Sequence, residues 1–494
     1  MKRIILILFV GLGLFSSCET WLDIKPENQQ TADEFWQKKE EVEAVMGSAY
    51  SQFRNCLQTL MIWGELRGDV LSLGTSASKD MLLVKELDIR PDNSLVKYDN
   101  IYKVISRCNS VIKFASKVSE VDVTYVKPLM NAHIAEAYWL RSLCYFYLVR
   151  TFNNVPFVTE PYQDDSNAFE IPTSTGDSIL QVVYKELMAH KAMIPPSYTE
   201  LWETKGRATE GSYNALLAEI ALWQGKYDNV IKHCNDLDAQ LLYDTVARDD
   251  WYTIYYPGNS DEGIFELQWE KEQSNQLFKW TFFTSTPALF SLSDEAREIM
   301  EEHEEIEKEA DIRSLGGSYT DINCLWKYCG EGLEAKDKAT GALKRTKHFD
   351  ANWIIYRYAD MILMKAEALI MKGDYPAAML EIEKLRDRAG FKIDLLAEET
   401  EQQMLELLFN ERIRELAGEG KRWFDLLRYA SRNDFAYHSI LIDKLLLGVS
   451  PAYQELWRNK LKDINSLYLP IHKDEIEFSN GVIKQNPFYA HFKY

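Results

Sequence analysis

The chain has 494 residues, of which 46% are hydrophobic and 27% charged, a composition that suffices for a large buried core. Its 56 Lys and Arg residues against 76 Asp and Glu residues give a net charge of −20, which argues against a nucleic-acid partner because phosphate binding needs clustered basic side chains. The 13 Trp, 27 Tyr and 22 Phe residues supply many flat rings for contact with a ligand.

The N-terminus has the features of a secretion signal. Two basic residues precede an apolar run, Ile4 to Leu14, which is too short to span a membrane. The run leads into Phe-Ser-Ser-Cys at residues 15–18, and small residues before a cysteine resemble a bacterial lipobox, although Phe15 stands where leucine is usual. We therefore predict a lipoprotein signal peptide at residues 1–17 and lipidation of Cys18. Ordinary secretion with an incidental cysteine is the alternative.

The remainder of the chain is predicted to be anchored to a membrane and not embedded in it. No other apolar run approaches the roughly 18 residues that a membrane span needs. Acyl chains on Cys18 would hold the protein at the membrane. Residues 18–30 form a polar tether in this interpretation, and residues 31–494 form a single domain.

Helical periodicity dominates the first half of that domain. Residues 31–34 fit a capping box, and apolar residues three or four apart predict helices near 42–53, 98–112 and 179–187. Residues 131–150 are apolar nearly all round, which predicts a helix that is buried on several sides. Residues 62–78 are rich in Gly and Ser and are predicted to form a loop.

The pattern changes between residues 241 and 352. Helical periodicity weakens there, aromatic residues crowd among polar ones, and residues 264–269 alternate as a strand does. The acidic run at 298–311 is predicted to be a solvated helix and not a metal site. Because a long irregular segment between helical repeats is usually functional, we expect a ligand site in this loop-rich insert.

Two similar segments predict helix pairs. Residues 218–227 align without gaps on residues 366–375, and each has small residues, a glycine in the turn and a following helix. Gly390 fits a C-terminal stop for the later pair. Both segments resemble the turn of a tetratricopeptide helix pair. Such a pair cannot bury its apolar face alone, so more pairs are expected beside these.

A charged stretch at residues 411–428 has two interpretations. Opposite charges stand three apart at Arg422, Asp425 and Arg428, which suits pairing on one side of a helix. The stretch is either a catalytic carboxylate site or a structural ion-pair network that braces Trp423 against the core. We favour the network.

The cysteines do not predict a metal site. None of the six after Cys18 forms a C-x-x-C pair, and no histidine cluster accompanies them, so a zinc site is not expected. Cys324 and Cys329 could form a disulfide outside the cytoplasm, and the sequence leaves this pairing open.

Several stretches along nearly the whole chain carry a family resemblance. They are the start at residues 18–26, early helices at 102–109 and 141–156, the late repeat at 357–368 and 386–390, the charged stretch at 411–428, and the end at 467–471 and 485–487. In this order they resemble the SusD-like (RagB/SusD) outer-membrane lipoproteins of Bacteroidetes-type bacteria. Two departures are Tyr98, where many members have Trp, and Phe488-Tyr489, where Gly-Tyr is common.

The resemblance implies both a fold and a function. The fold would be mostly α-helical, with a scaffold of tetratricopeptide-like helix pairs and a face of loops and short strands. The protein would sit in the outer membrane facing the cell exterior and bind a SusC-like TonB-dependent β-barrel transporter. Its ligand would be a glycan, with a peptide or another nutrient as the alternative.

For the ligand site we predict an exposed aromatic platform. A glycan presents apolar C–H faces and a rim of hydroxyl groups, which suit flat rings and hydrogen-bonding side chains. Five aromatic residues stand in loop-rich segments outside the helical faces, and some of them are expected to form the platform: Trp63, Trp251, Tyr256, Trp280 and Tyr319.

Two other classes of function are weighed against capture of a nutrient. A surface glycosidase would need two carboxylates about 5–10 Å apart, but pairs arise by chance among 76 acidic residues. No G-x-S-x-G, H-E-x-x-H or glycine-rich phosphate loop is present, so we expect neither an enzyme nor a cofactor. A tetratricopeptide-like scaffold that binds only proteins would lack aromatic residues grouped in its loops.

Overall fold

Helices make up most of the chain that the computed structural model describes, which comprises residues 35–162, 170–281, 289–302, 311–332, 346, 348–391 and 400–492. Up to residue 240 the helices are α1 (Lys39–Asn55), α2 (Leu57–Met61), α3 (Lys79–Lys85), α4 (Asp99–Val121), α5 (Lys127–Phe152), α6 (Gly176–His190), α7 (Leu201–Gly206), α8 (Glu210–Trp223) and α9 (Tyr227–Asp238).

The second half adds nine helices within the described ranges. They are α10 (Gln276–Thr281), α11 (Asp294–Glu301), α12 (Tyr358–Met371), α13 (Tyr375–Ala389), α14 (Glu401–Leu416), α15 (Arg422–Phe435), α16 (His438–Leu447), α17 (Pro451–Lys460) and α18 (Lys473–Phe478). Short 3₁₀ turns lie at Ser94–Val96, Lys191–Met193, Arg248–Ile254, Ile464–Leu467 and Pro487–Tyr489. The prediction of a mostly α-helical fold is confirmed.

Both predicted helix pairs are present. The turns between α8 and α9 and between α12 and α13 carry Gly225 and Gly373 with φ of +68° and +78°, which only glycine adopts readily. Gly390 ends α13 in the left-handed conformation, as its position predicted. Helix α9 packs against α12, and α14 packs against α12 and α13, so the pairs stack into one scaffold.

The amino-terminal helices form a layer beside this scaffold. Helix α4 packs between α1 and α5, and α5 packs in turn against α6. This position explains why α5 is apolar nearly all round, since every residue from Trp139 to Phe152 is buried.

The strands are short and pair in twos. They are β1 (Leu71–Leu73), β2 (Val155–Pro156), β3 (Thr173–Ser174), β4 (Gly263–Leu267), β5 (Phe290–Leu292) and β6 (Trp353–Arg357). The pairs β1–β5, β2–β3 and β4–β6 are antiparallel. Strand β4, which the alternating pattern predicted, is wholly buried, and its Glu266 accepts hydrogen bonds from Asn259 and Asn352.

The predicted loop at residues 62–78 is partly wrong. Residues Ile62–Leu66 continue α2 as a π-helical turn, and β1 follows. The turn lies directly on the loop before α15, where a Cβ atom on Gly64 would stand 1.8 Å from the carbonyl oxygen of Gly420. This contact between backbones needs glycine, so Gly64 marks close packing and not a flexible loop.

The charged stretch at 411–428 is a buried ion-pair network, as the structural interpretation predicted. Asp425 binds Arg412 at 2.7 Å and Arg428 at 2.9 Å. Arg422 pairs with Asp69 at 2.6 Å, where the helical spacing had suggested Asp425. Trp423 is buried, with the Arg67 guanidinium 3.9 Å from its ring centroid.

Other predictions have mixed outcomes. Within the described residues, Cys324 and Cys329 are buried and not joined by a disulfide. Helix α11 covers the start of the acidic run, whereas residues 303–310 lie outside the described ranges, as do Cys18 and the capping box at 31–34. Of the helices described, none is both long and apolar enough to cross a bilayer.

Candidate functional site: a groove beside helix α1

Three of the predicted platform residues belong to the core. Trp63, Trp251 and Tyr319 are at most 1% exposed, so an exposed platform that includes them is wrong. Trp63 donates its indole N–H to the carbonyl of Leu95 at 2.8 Å, and the Tyr319 hydroxyl donates to Glu301 at 2.8 Å. Loop segments between helix pairs need apolar anchors of their own, and large rings supply them.

The other two platform residues stay predictions. Tyr256 is half-buried, and both its burial and the nearby Asp350 carboxylate raise the pKa of its hydroxyl. Trp280 lies within α10, but its side chain is outside the part of the chain that the structure describes.

A groove of about 640 Å³ lies between α1, α7 and the end of β4. Helix α1 contributes residues from Glu43 to Arg54, α7 contributes Trp202, and the segment after β4 contributes Gln268 and Gln273. The volume falls in the range of small-ligand sites. The lining residues combine polar and apolar side chains on one concave surface.

The floor of the groove is a fixed hydrogen-bonded cluster. The buried Glu136 carboxylate accepts from the Tyr50 hydroxyl at 2.8 Å and from two nitrogens of Arg207 at 2.8 and 2.9 Å. Burial alone would lower the pKa of Arg207, but its hydrogen bonds to Glu136 and the charge of that carboxylate raise the pKa. These groups hold one another in place, so the floor is preorganised.

Helix α7 presents Trp202 on the wall of the groove. Its neighbours Thr204 and Lys205 are buried, and the Lys205 ammonium donates to the carbonyl of Gly263 at 2.6 Å. Because these residues fix the inner side of α7, Trp202 lies on the outer side and is 54% exposed. An exposed indole on a fixed helix offers a flat surface for stacking.

Arg54 lines both the groove and a second cavity of about 300 Å³. Its guanidinium donates to the carbonyl of Gln268 at 3.1 Å and to the side chain of Gln273 at 2.7 Å. It also lies over the ring of Trp269, 5.4 Å from the centroid. Trp269 lines the second cavity, so each compartment has one tryptophan and both share Arg54 and Gln273.

Gly47 keeps the α1 side of the groove open. It lies in the interior of α1, where glycine costs roughly 0.5–1 kcal/mol relative to alanine. A Cβ atom at this position would meet nothing within 4 Å. Packing therefore does not require glycine here, and the bare backbone widens the groove.

The ionisable groups around the groove are mainly acidic. Four carboxylates and two guanidinium groups line it, a formal balance of −2: Glu43, Glu136, Glu203, Glu270, Arg54 and Arg207. Within the described ranges, no group of three or more His, Cys, Asp or Glu side chains is arranged to hold a metal ion. The excess of carboxylates disfavours an anionic ligand, and the exposed indole and the polar side chains suit stacking and hydrogen bonding.

Sequence reasoning missed Trp202 and did not select Trp269. The available signal for Trp202 was an apolar pair, Leu201-Trp202, in a short segment that follows two prolines and lacks helical periodicity. Trp269 ends the alternating run at residues 264–269, in which the inward and outward sides cannot be told apart from the pattern. The groove combines residues from positions 43 to 273, so their proximity is a tertiary property.

Comparisons with known proteins agree with the fold. A family model described as "SusD family" matches residues 226–489, and one described as "Starch-binding associating with outer membrane" matches residues 20–222. SusD-like protein P38 of Formosa agariphila is 23% identical over 85% of this chain and 90% of its own length. A SusD-like protein of Bacteroides ovatus is 20% identical over 87% and 83%.

Solved structures show the same architecture. A SusD superfamily protein from Bacteroides thetaiotaomicron superposes with a TM-score of 0.71 at 21% identity, covering 92% of this chain and 99% of that one. A laminarin-binding SusD-like protein superposes with a TM-score of 0.70 at 20% identity, covering 91% and 99%. Since the SusD model alone spans more than half of the sequence, the chain belongs to the SusD family.

Proposed function

We propose that this protein captures a glycan at the cell surface and delivers it to a TonB-dependent outer-membrane transporter. The observation that carries the binding step is the exposed indole of Trp202 beside the fixed polar floor of the α1 groove. Family membership supports a carbohydrate ligand, since one matching model is described as starch-binding and one structural neighbour binds laminarin.

The groove has the groups that a sugar requires. The Trp202 ring would cover an apolar C–H face, while Arg54 and Gln273 offer a donor and an amide at the hydroxyl rim. Because the floor is held by its own hydrogen bonds, little side-chain ordering is needed when the ligand binds. Capture and release involve no covalent step.

The charge of the groove favours neutral glycans. Glu43, Glu203 and Glu270 add negative potential at the lining of the groove, which would repel sulfate or carboxylate groups on a sugar. We therefore expect neutral oligosaccharides to bind more tightly than sulfated or uronic ones of the same length.

Replacing Trp202 with alanine tests the site. Binding should weaken at least about tenfold, since truncating a dominant aromatic contact typically costs about 2 kcal/mol. Calorimetry with laminarin-derived, starch-derived and sulfated oligosaccharides would measure it. Tyr453→Ala is the matched control, because Tyr453 is similarly exposed and does not line the groove. Unchanged binding in Trp202→Ala would show that the groove is not the glycan site. If the protein bound peptides and no glycan, the ligand would be a peptide.

Delivery to a transporter is tested separately. Lipidation of Cys18 would hold the protein on the outer membrane beside such a transporter. A mild-detergent purification of the tagged protein from its own membranes should recover a large β-barrel protein in near-equal amount. Recovery of soluble proteins only would contradict delivery to a transporter and would favour a scaffold that binds proteins.

A further inference from the structure

The turn that joins α4 to α5 exposes three valines within six residues. Val121 is 54% exposed, Val123 91% and Val126 55%. Single exposed apolar residues are common on protein surfaces, but three within six residues at the tip of one helical hairpin concentrate apolar side chains in one place, here called the patch.

This turn is held in a fixed conformation. Tyr125 points inward, is 1% exposed and shares a hydrogen bond of 2.9 Å with His133. The Asp122 carboxylate accepts from the main-chain N–H of Thr124 at 2.8 Å, and the Ser119 hydroxyl donates to the carbonyl of Tyr125. The valines are therefore displayed by a structured turn, and Tyr125 takes the inward position that one of them would otherwise fill.

The patch lies at the end of the molecule where the N-terminal segment enters. The main-chain N–H of Lys39 donates to the Asp122 carboxylate at 2.9 Å, inside the same turn. Trp36 stacks on Phe114 of α4 with centroids 5.0 Å apart. The first described residue, Phe35, is thus within a few helical turns of the patch.

The length of the chain before Phe35 limits how far this end lies from a lipid anchor. Cys18 and Phe35 are 17 positions apart. A chain of 17 residues reaches at most about 60 Å when fully extended. An anchor at Cys18 would therefore limit how far the α4–α5 turn can lie from the bilayer surface. The charged residues in and beside the turn, Glu120, Asp122 and Lys127, have a formal balance of −1, so the patch does not favour acidic lipids.

We propose that the α4–α5 turn is a membrane-contact patch, in which Val121, Val123 and Val126 enter the interface of a lipid bilayer while lipidated Cys18 anchors the chain. Three apolar side chains at one tip suit shallow insertion among headgroups. Their contact would fix the orientation of the domain relative to the bilayer. The inference rests on the lipidation of Cys18 and is independent of the identity of the nutrient.

A nitroxide label at position 123 tests the patch. The described native cysteines are all buried, so Val123→Cys provides an accessible thiol for labelling. Leu241→Cys is the control, because Leu241 is 89% exposed in the loop after α9. The full-length protein, purified from its membranes with Cys18 modified as shown by mass spectrometry, is placed in phosphatidylcholine vesicles. Electron paramagnetic resonance then compares collisions with oxygen and with a water-soluble nickel chelate.

The ratio of oxygen to nickel collisions should be several-fold higher at position 123 than at position 241. Protein that lacks the acyl chains on Cys18, in solution without detergent or vesicles, should show equal ratios at both positions. Equal ratios in the vesicles would overturn the membrane contact while leaving the anchor intact. An unmodified Cys18 would overturn the anchor and the patch together.

Discussion

The carboxylate of Glu65 accepts a hydrogen bond from the main-chain N–H of Gly418 at 2.9 Å, although the two residues are 353 positions apart. The same carboxylate accepts from the N–H groups of Lys421 at 3.0 Å and Arg422 at 3.3 Å. It thereby joins the π-helical turn to the loop that starts α15. Burial raises the pKa of Glu65 to about 7, against the effect of these donors.

Glu65→Gln should change the pH dependence of stability. With its pKa raised from 4.5 to about 7, Glu65 binds a proton more tightly in the folded chain, so its contribution to the free energy of unfolding falls as pH rises between those values. Glutamine does not titrate. The wild-type protein should therefore gain stability relative to Glu65→Gln on going from pH 8 to pH 5, by up to roughly 3 kcal/mol.

Urea unfolding at the two pH values measures this difference. Other buried carboxylates with raised pKa values, such as Glu262 and Glu266, remain in both proteins and cancel in the comparison. The same stability difference at pH 5 and pH 8 would mean that Glu65 does not titrate in this range.

Arg357→Met should destabilise the protein strongly. The Arg357 guanidinium is fully buried and binds Glu262 at 3.0 Å, Glu415 at 2.6 Å and Glu419 at 2.9 Å. Its removal leaves three buried carboxylates short of a counter-charge, which costs about 3–5 kcal/mol. Lys372→Met, which removes the exposed pair with Asp228, should cost less than about 1 kcal/mol. Similar urea midpoints for the two variants would contradict a structural role for the network.

The sequence predicted those parts of the fold that depend on neighbouring positions. The helix pairs follow from periodicity and from turn glycines such as Gly225 and Gly373, which act within a few residues. The apolar sequence of α5 likewise predicted its central position. Burial on the loop face was harder to predict from the sequence, because the burial of Trp63 depends on Leu95 and Phe152, which lie far along the chain.

The ion pairs and the groove also depend on contacts between residues that are far apart in the chain. The spacing of Arg422 and Asp425 suggested a pair, but Asp69 of another segment lies closer to Arg422. An aromatic residue among polar neighbours can be either buried or exposed in the folded chain. Trp251 anchors a loop in the core, whereas Trp202 lies exposed on α7. Only the contacts of the folded chain decide between them.

Substitutions at Gly47 should separate stability from access to the groove. Gly47→Ala should raise the free energy of unfolding by about 0.5–1 kcal/mol without weakening glycan binding, because a methyl group fits the open space and favours the helix. Gly47→Trp would fill part of the groove and should abolish binding while the fold is retained. Thermal unfolding and calorimetry measure the two effects, and full binding by Gly47→Trp would place the ligand elsewhere.

The two cavities predict that the effect of a substitution depends on the length of the ligand. Trp202 lines the larger cavity and Trp269 the smaller one, and Arg54 lines both. Trp202→Ala should weaken binding of short and long oligosaccharides alike. Trp269→Ala should weaken only those long enough to pass Arg54, since a short ligand in the larger cavity does not reach it.

Calorimetry with neutral oligosaccharides of increasing length measures this dependence. Because Trp269 also lies under the Arg54 guanidinium, its loss could disturb Arg54 itself. Asn55→Trp supplies an independent variant, since exposed Asn55 lines the smaller cavity and a large ring there would block it without altering Trp269. Both variants should lose affinity beyond the same ligand length. Equal losses at every length would show that Arg54 does not divide the groove into two binding compartments.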